Sequence, residues 1–154
     1  MSNRVRTCLW FEAGGEKAAE FYVSLLPNSS IERIFRTEPD AAPLVVEFTL
    51  DGTPYMILNG GPHHVLSEAV SISVTTRDQA ETDRLWAALL AGGGSENCCG
   101  WLKDRFGLSW QIVPEQFMRL FNDPDREAAG RAFQAMTRMI KLDVAAVEAA
   151  FKGQ

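Results

Sequence analysis

The sequence predicts an α+β domain in which one strand-helix-strand unit is used twice and a helical tail follows. Three observations carry this expectation. Apolar runs of strand character alternate with two amphipathic helical patterns. The two helices share a spelling, Phe21-Tyr22-x-x-Leu25-Leu26 and Leu85-Trp86-x-x-Leu89-Leu90, at an offset of 85 − 21 = 64. Two later hairpins also correspond, Gly52-x-x-Tyr55 and Gly107-x-x-Trp110, at an offset of 107 − 52 = 55. Self-similarity at fixed spacing is the mark of one supersecondary unit repeated.

The first unit begins with an extended run, Val5 to Phe11. Ala13-Gly14-Gly15 interrupts it, and a helix spans Glu16 to Leu26 before Pro27. Ala18, Phe21, Tyr22, Leu25 and Leu26 recur at helical spacing, so one face of that helix can pack on a sheet. Three strands are expected next, Ser30 to Thr37, Leu44 to Leu50 and Pro54 to Asn59, the last two joined by the hairpin signal Asp51-Gly52. The second unit repeats the order with a strand from Ala69 to Thr76 and a helix from Gln79 to Leu90. Gly92-Gly93-Gly94 stops that helix, and strands from Asn97 to Lys103 and Leu108 to Val113 follow around Asp104-Arg105-Phe106-Gly107. Residues 1–114 thus form one domain of two modules, 5–60 and 69–113. Residues 115–154 are a helical extension with helices from Arg126 to Lys141 and Asp143 to Phe151, broken at Asn122-Asp123-Pro124-Asp125. Its Met and Phe side chains are expected to pack on the domain or on a dimer partner.

Composition bounds the function. A chain of 154 residues, 46% hydrophobic, suits one globular domain. The net charge of −5 lacks the basic patches that nucleic acid or an anionic membrane would reward, so neither is an expected partner. No apolar run reaches the roughly 20 residues of a membrane span, and the N-terminal MSNRVRT lacks the apolar core of a signal peptide. A cytoplasmic protein is expected. Cys8, Cys98 and Cys99 lack zinc-ligand spacing and read as reduced thiols; on a strand, Cys98 and Cys99 would point to opposite faces.

Several segments, in order and over nearly the whole chain, resemble one family: Cys8-Leu9-Trp10-Phe11, Ala18-Ala19-Glu20-Phe21-Tyr22, Leu58-Asn59-Gly60-Gly61-Pro62, Cys99 to Asp104, Gly107 to Pro114, and Met136-x-x-Met139-x-Lys141-Leu142-Asp143. The chain resembles the vicinal oxygen chelate (glyoxalase/bleomycin-resistance/dioxygenase) superfamily, and within it the PhnB-like branch often labelled 3-demethylubiquinone 3-methyltransferase-like. The resemblance implies two βαβββ modules whose strands form a curved mixed sheet around a cavity, with helices outside; in such families the modules often pair across a homodimer, and pairing within one chain or between two is left open.

In metal-using members, the resemblance implies His or Glu at four inward points, which map here to Thr7, Met56, Ser71 and Gln111 (7 + 64 = 71; 56 + 55 = 111). A hydroxyl, a thioether, a second hydroxyl and an amide are poor donors for a divalent metal, so no metal and no cofactor are expected. His63 and His64 sit together in the connector between modules, with no third ligand evident. Alternation then places Thr7, Leu9, Phe11, Met56, Leu58, Ser71, Ser73, Ser109 and Gln111 toward the cavity, with Cys8 and Trp10 toward the helices. Asn59 and Trp101 lie near its mouth. Glu47 is the one carboxylate within an apolar strand. It is a candidate base if desolvation raises its pKa, and otherwise faces solvent.

Two functions fit this reading. One is a binding protein holding a small, partly apolar organic molecule in a metal-free cavity. The other is a metal-independent enzyme on a small organic substrate, lyase-like or isomerase-like, with Glu47 or a histidine as base. Methyl transfer, which the family label implies, is disfavoured because no glycine-rich loop leads from a strand into a helix.

Overall fold

A computed structural model describes residues 4–154. Met1, Ser2 and Asn3, the start of the MSNRVRT segment, lie outside the described residues. The chain divides into two compact units, Met1–Leu66 and Ser67–Gln154.

In the first unit, β1 (Thr7–Phe11) leads into α1 (Gly15–Leu25), and β2 (Ser30–Phe35), β3 (Val45–Leu50) and β4 (Thr53–Asn59) follow. The strand order is β1-β4-β3-β2, with β1 parallel to β4 and the other pairs antiparallel. This is the βαβββ module implied by the family resemblance. Asp51 and Gly52 take φ of 43° and 76°, the left-handed pair that a tight hairpin between β3 and β4 demands. Helix α1 buries Ala18, Ala19, Tyr22 and Leu25 on the sheet face that carries Val46, Phe48 and Ile57. Contact is close at the helix start, where a Cβ on Gly15 would stand 2.2 Å from Ile57 Cγ2.

The second unit repeats the plan with β5 (Ser71–Thr76), α2 (Gln79–Leu90), β6 (Ser95–Glu96), β7 (Trp101–Lys103) and β8 (Ser109–Pro114), in strand order β5-β8-β7-β6. Asp78 caps α2 by accepting from the Glu81 N–H at 2.8 Å. Ile72, Leu85, Trp86, Leu89, Leu102, Trp110 and Ile112 form the core. Asp104, 3% exposed, organises the β7–β8 turn by accepting from the Phe106 N–H (2.8 Å), the Leu108 N–H (3.1 Å) and Trp110 Nε1 (2.9 Å).

Each module forms a four-stranded mixed sheet, the architecture expected of two βαβββ modules. The expected strand from Asn97 to Lys103 is shorter. Cys98 and Cys99 lie in a turn between β6 and β7, where the Trp101 N–H bonds to Cys98 O at 3.1 Å and Cys99 and Gly100 take φ of 58° and 80°.

The tail comprises α3 (Glu115–Phe121), α4 (Arg126–Met136) and α5 (Val144–Phe151). Phe117, Ala132, Leu142 and Val147 bury together, flanked by Val113 of β8. Helix α4 stops at Met136, short of the expected Lys141, because the next residues serve the β6–β7 turn. Met139 O and Ile140 O accept the Cys99 and Gly100 N–H groups at 2.8 Å each.

Replacing Asp104 by Asn keeps one acceptor for the turn but aims an NH2 group at the Trp110 indole N–H. Urea unfolding is expected to show a loss of about 2 kcal/mol, the cost of opposing buried donors. A change within about 0.5 kcal/mol would mean that the carboxylate does not hold the turn.

Candidate functional site

The pairing of β1 with β4 decides which side chains are available. Leu9 pairs with Ile57 and Phe11 with Asn59, and both partners meet the start of α1. Leu9 and Phe11 are accordingly buried under the helix, 1% and 5% exposed, and Thr7 shares their face. This corrects the expected facing of Thr7, Leu9 and Phe11. Cys8 and Trp10 are the β1 residues that share the opposite, open face with Met56 and Leu58.

The cause lies in the connectors. Thr7 pairs with Tyr55 while Ile72 pairs with Trp110, so the leading strands correspond at 72 − 7 = 65 rather than 64. Three residues, Glu12 to Gly14, link β1 to α1, whereas two, Arg77 and Asp78, link β5 to α2. One extra residue reverses every facing in a strand.

On the open face of the first module, Val45, Glu47 and Met56 adjoin Arg33 and Phe35 of β2. These five line a hollow of about 300 Å³. Phe35 is 52% exposed. Arg33 donates to Glu47 through Nε (3.1 Å) and Nη2 (2.6 Å), and Arg6 Nε stands 4.0 Å from the same carboxylate. Arg6 also pairs with Glu32 and reaches the carbonyls of Phe48 and Tyr55. The hydrogen bond from Arg33 outweighs desolvation and holds the Glu47 carboxyl below its ordinary value. Glu47 is thus an ionised partner of arginine and lacks the raised pKa expected of a base.

Asn59 is committed to structure. Its Oδ1 accepts the Gly15 N–H at 2.9 Å, the group that Gly14 cannot cap, and its Nδ2 donates to Pro43 O at 2.8 Å. Trp10 covers Gly60, donates from Nε1 to Gly61 O at 2.9 Å and meets the His64 ring edge-on at 4.6 Å. Arg33, Phe35 and Trp10 were missed as open-face residues, Arg33 and Phe35 because their place depends on the pairing of β2 with β3 across a register shift.

In the second module, Ser71, Ser73, Ser109 and Gln111 share the face opposite Ile72, Trp110 and Ile112, as alternation predicts. Trp101 pairs with Gln111 and joins that face. Gln111 Nε2 donates to Ser71 Oγ at 2.8 Å. Ser109 is 2% exposed, and its hydroxyl has no hydrogen-bond partner. It adjoins a recess of about 60 Å³ bordered by Ser95, Asn97, Lys103 and Glu68, the last two ion-paired at 2.7 Å.

The register correction moves the metal test from Thr7 to Cys8 in β1 and from Ser71 to Ser73 in β5. Cys8 stands beside Met56, and Ser73 beside Gln111. A thiol whose partial burial pushes its pKa up, a thioether, a hydroxyl and an amide still make a poor donor set for a divalent cation. Among the described residues no three His, Cys, Asp or Glu side chains gather where an ion would sit. The residues do not fit the superfamily's metal.

Two βαβββ modules, each a mixed sheet under one helix with its other face open, are the architecture of the vicinal oxygen chelate superfamily. The chain belongs to the 3-demethylubiquinone-9 3-methyltransferase family, whose model matches residues 3–113. A PhnB protein of Bacillus cereus, described as a candidate 3-demethylubiquinone-9 3-methyltransferase, is 29% identical with a TM-score of 0.66; the match covers 73% of this chain and 99% of that one. Protein PA1353 of Pseudomonas aeruginosa is 23% identical (TM-score 0.59), covering 73% and 98% of the two chains. The fosfomycin resistance protein FosX of Mesorhizobium loti shares the fold at 13% identity (TM-score 0.53), covering 73% and 91%. No curated protein matches the chain significantly.

The family description implies S-adenosylmethionine, and the residues do not fit that cofactor either. The strand-to-helix connectors are Glu12-Ala13-Gly14 and Arg77-Asp78, too short and glycine-poor to cradle it within mixed sheets. Gly92-Gly93-Gly94 closes α2 instead, with the Gly94 N–H bonded to Leu90 O at 2.9 Å.

Because the folded pKa of Glu47 is lowered, its pairing contributes fully above the ordinary value of 4.5 and is lost as pH falls through the lower native value. The difference in thermal stability between wild type and Glu47→Gln is therefore expected to be largest above pH 4.5 and to close in acid. A difference that widens toward low pH would identify a carboxyl protonated by folding.

Proposed function

We propose that the protein binds a small, partly apolar organic molecule, without a metal ion, on the open face of its first module. The observation that carries this reading is the hollow of about 300 Å³ in which Phe35, Val45 and Met56 stand beside the Arg33–Glu47 pair. Such a lining takes an apolar body and an anionic or hydrogen-bonding head. Leu58 extends the apolar surface, and Ser71, Ser73, Trp101 and Gln111 are candidate contacts on the second module's own open face. Binding is favoured over turnover because Glu47 is held ionised by arginine. Methyl transfer is disfavoured by the connectors.

The dye 8-anilinonaphthalene-1-sulfonate, an aromatic body with an anionic head, is expected to bind the native protein saturably. Met56→Glu is expected to weaken it about tenfold and Arg33→Ala about fivefold, the effects of a misplaced charge and of a lost, mostly exposed ion contact. Equal affinity in both variants would remove the hollow as the site. S-adenosylmethionine is expected to leave the thermal transition unmoved, and a saturable rise would restore methyl transfer.

A cytoplasmic homodimer is the assembly we infer. Duplicated-module architecture and the exposed tail residues Met118, Phe133 and Ile140 support it. Among the described residues no helix is long and apolar enough to cross a membrane, and the net charge of −5 disfavours nucleic acid. Light scattering at micromolar concentration is expected to give twice the 17.1 kDa chain mass, and a monomer would contradict it.

A further inference from the structure

On the open face of the second module, the strand registers set Ser95, Lys103, Ser109 and Ser71 in one row across β6, β7, β8 and β5. Lys103 and Ser109 are direct cross-strand partners, so their side chains stand side by side. What surrounds them differs. Lys103 Nζ meets the carboxylate of Glu68, which reaches in from the turn before β5, at 2.7 Å; the lysine side chain is 37% exposed and the glutamate 56%. Ser109 is 2% exposed, and its Oγ, closed off from solvent, has no hydrogen-bond partner among the described residues. A buried hydroxyl without a partner is costly, and a fold that keeps one gives a reason to ask what it bonds. Ser109 borders the recess of about 60 Å³, which has room for about four to six water-sized atoms.

We propose that this recess is a second binding site, for a short monocarboxylate whose head takes the place of Glu68 on Lys103 and accepts a hydrogen bond from Ser109. The chemistry of the rim selects an acceptor with one negative charge. Ser95 and Ser109 bring hydroxyl donors, and Asn97, whose Oδ1 already accepts the Cys98 N–H at 2.8 Å, has its NH2 group to offer. Among the described residues Lys103 is the one cation at the rim, which suits a monoanion better than a dianion. Glu96, the other carboxylate there, is engaged on the helix side, where it accepts Trp86 Nε1 at 2.9 Å. Glu68 itself displays the contact, since a carboxylate already sits on the lysine. A pair this exposed holds weakly and exchanges readily. Glu68 is then a built-in competitor: the incoming carboxylate replaces it, and the Ser109 hydroxyl, closed off in its presence, becomes reachable. The volume limits the ligand's body to about two or three carbons.

The test titrates the full, isotope-labelled chain with sodium lactate at constant ionic strength, with sodium chloride as control, and reads amide shifts by NMR. The Ser95, Lys103 and Ser109 amides are expected to move saturably with lactate, in the millimolar range, and not with chloride. Ser109→Ala is expected to weaken binding about fivefold while leaving the melting temperature at or above that of wild type, since it deletes a hydroxyl that the fold does not use. Lys103→Met is expected to abolish binding. Glu68→Gln, which removes the competitor, is expected to tighten it about fivefold. No saturable shift in wild type, equal shifts with chloride, unchanged affinity in Ser109→Ala, or weaker binding in Glu68→Gln would each overturn the proposal. So would shifts confined to Arg33, Val45 and Met56, which would assign the carboxylate to the first module's hollow instead.

Discussion

In each module the first strand lies parallel against the last, and that one pairing governs the rest. Leu9 against Ile57 and Ile72 against Trp110 put the apolar side chains of both strands beneath a helix. The other face carries Cys8, Met56 and Leu58 in the first module and Ser71, Ser73 and Gln111 in the second. Helix α1 can sit on its strip because Gly15 has no Cβ to meet Ile57 and because Asn59 supplies the acceptor that the helix start lacks. The same residue pairing that builds the core therefore decides which side chains the second face of each sheet presents.

How far this was legible in the sequence depends on which residues report locally. Helix α2 was readable to the residue, since Asp78 and the glycine run are short-range signals. The Asp51-Gly52 hairpin was equally direct. The facing of β1 was not, because the repeat offset measured between helices changes by one across a connector that differs in length. Leu9 and Phe11 are apolar whichever way they point, so composition could not correct the slip. The second module escaped it, since the polar face Ser71, Ser73 and Gln111 contrasts with Ile72, Trp110 and Ile112 in the sequence itself. Glu47 shows another limit. Its partner Arg33 lies on a neighbouring strand, and a bulge between Ile31 and Arg33 sets their alignment.

The two open faces differ in chemistry although the modules share a plan. The first joins Phe35, Val45 and Met56 to an arginine-carboxylate pair. The second carries hydroxyls, an amide and the Lys103–Glu68 pair. At the positions where the superfamily's metal would be held, both supply donors too weak to take its place. Selectivity for an organic molecule would then rest on apolar fit and on charge at Arg33.

The family model ends at Val113, so the tail is an addition to the shared fold, and its attachment has a dynamic consequence. Main-chain bonds tie Met139 and Ile140 to Cys99 and Gly100, and Gln79 bonds to both Leu142 O and the Val144 N–H. The second module and tail therefore open together as one cooperative unit, with the amides of Cys99 and Gly100 exchanging only when the tail lifts. Two modules of one plan are thus mechanically unequal, because only the second is tied to the tail.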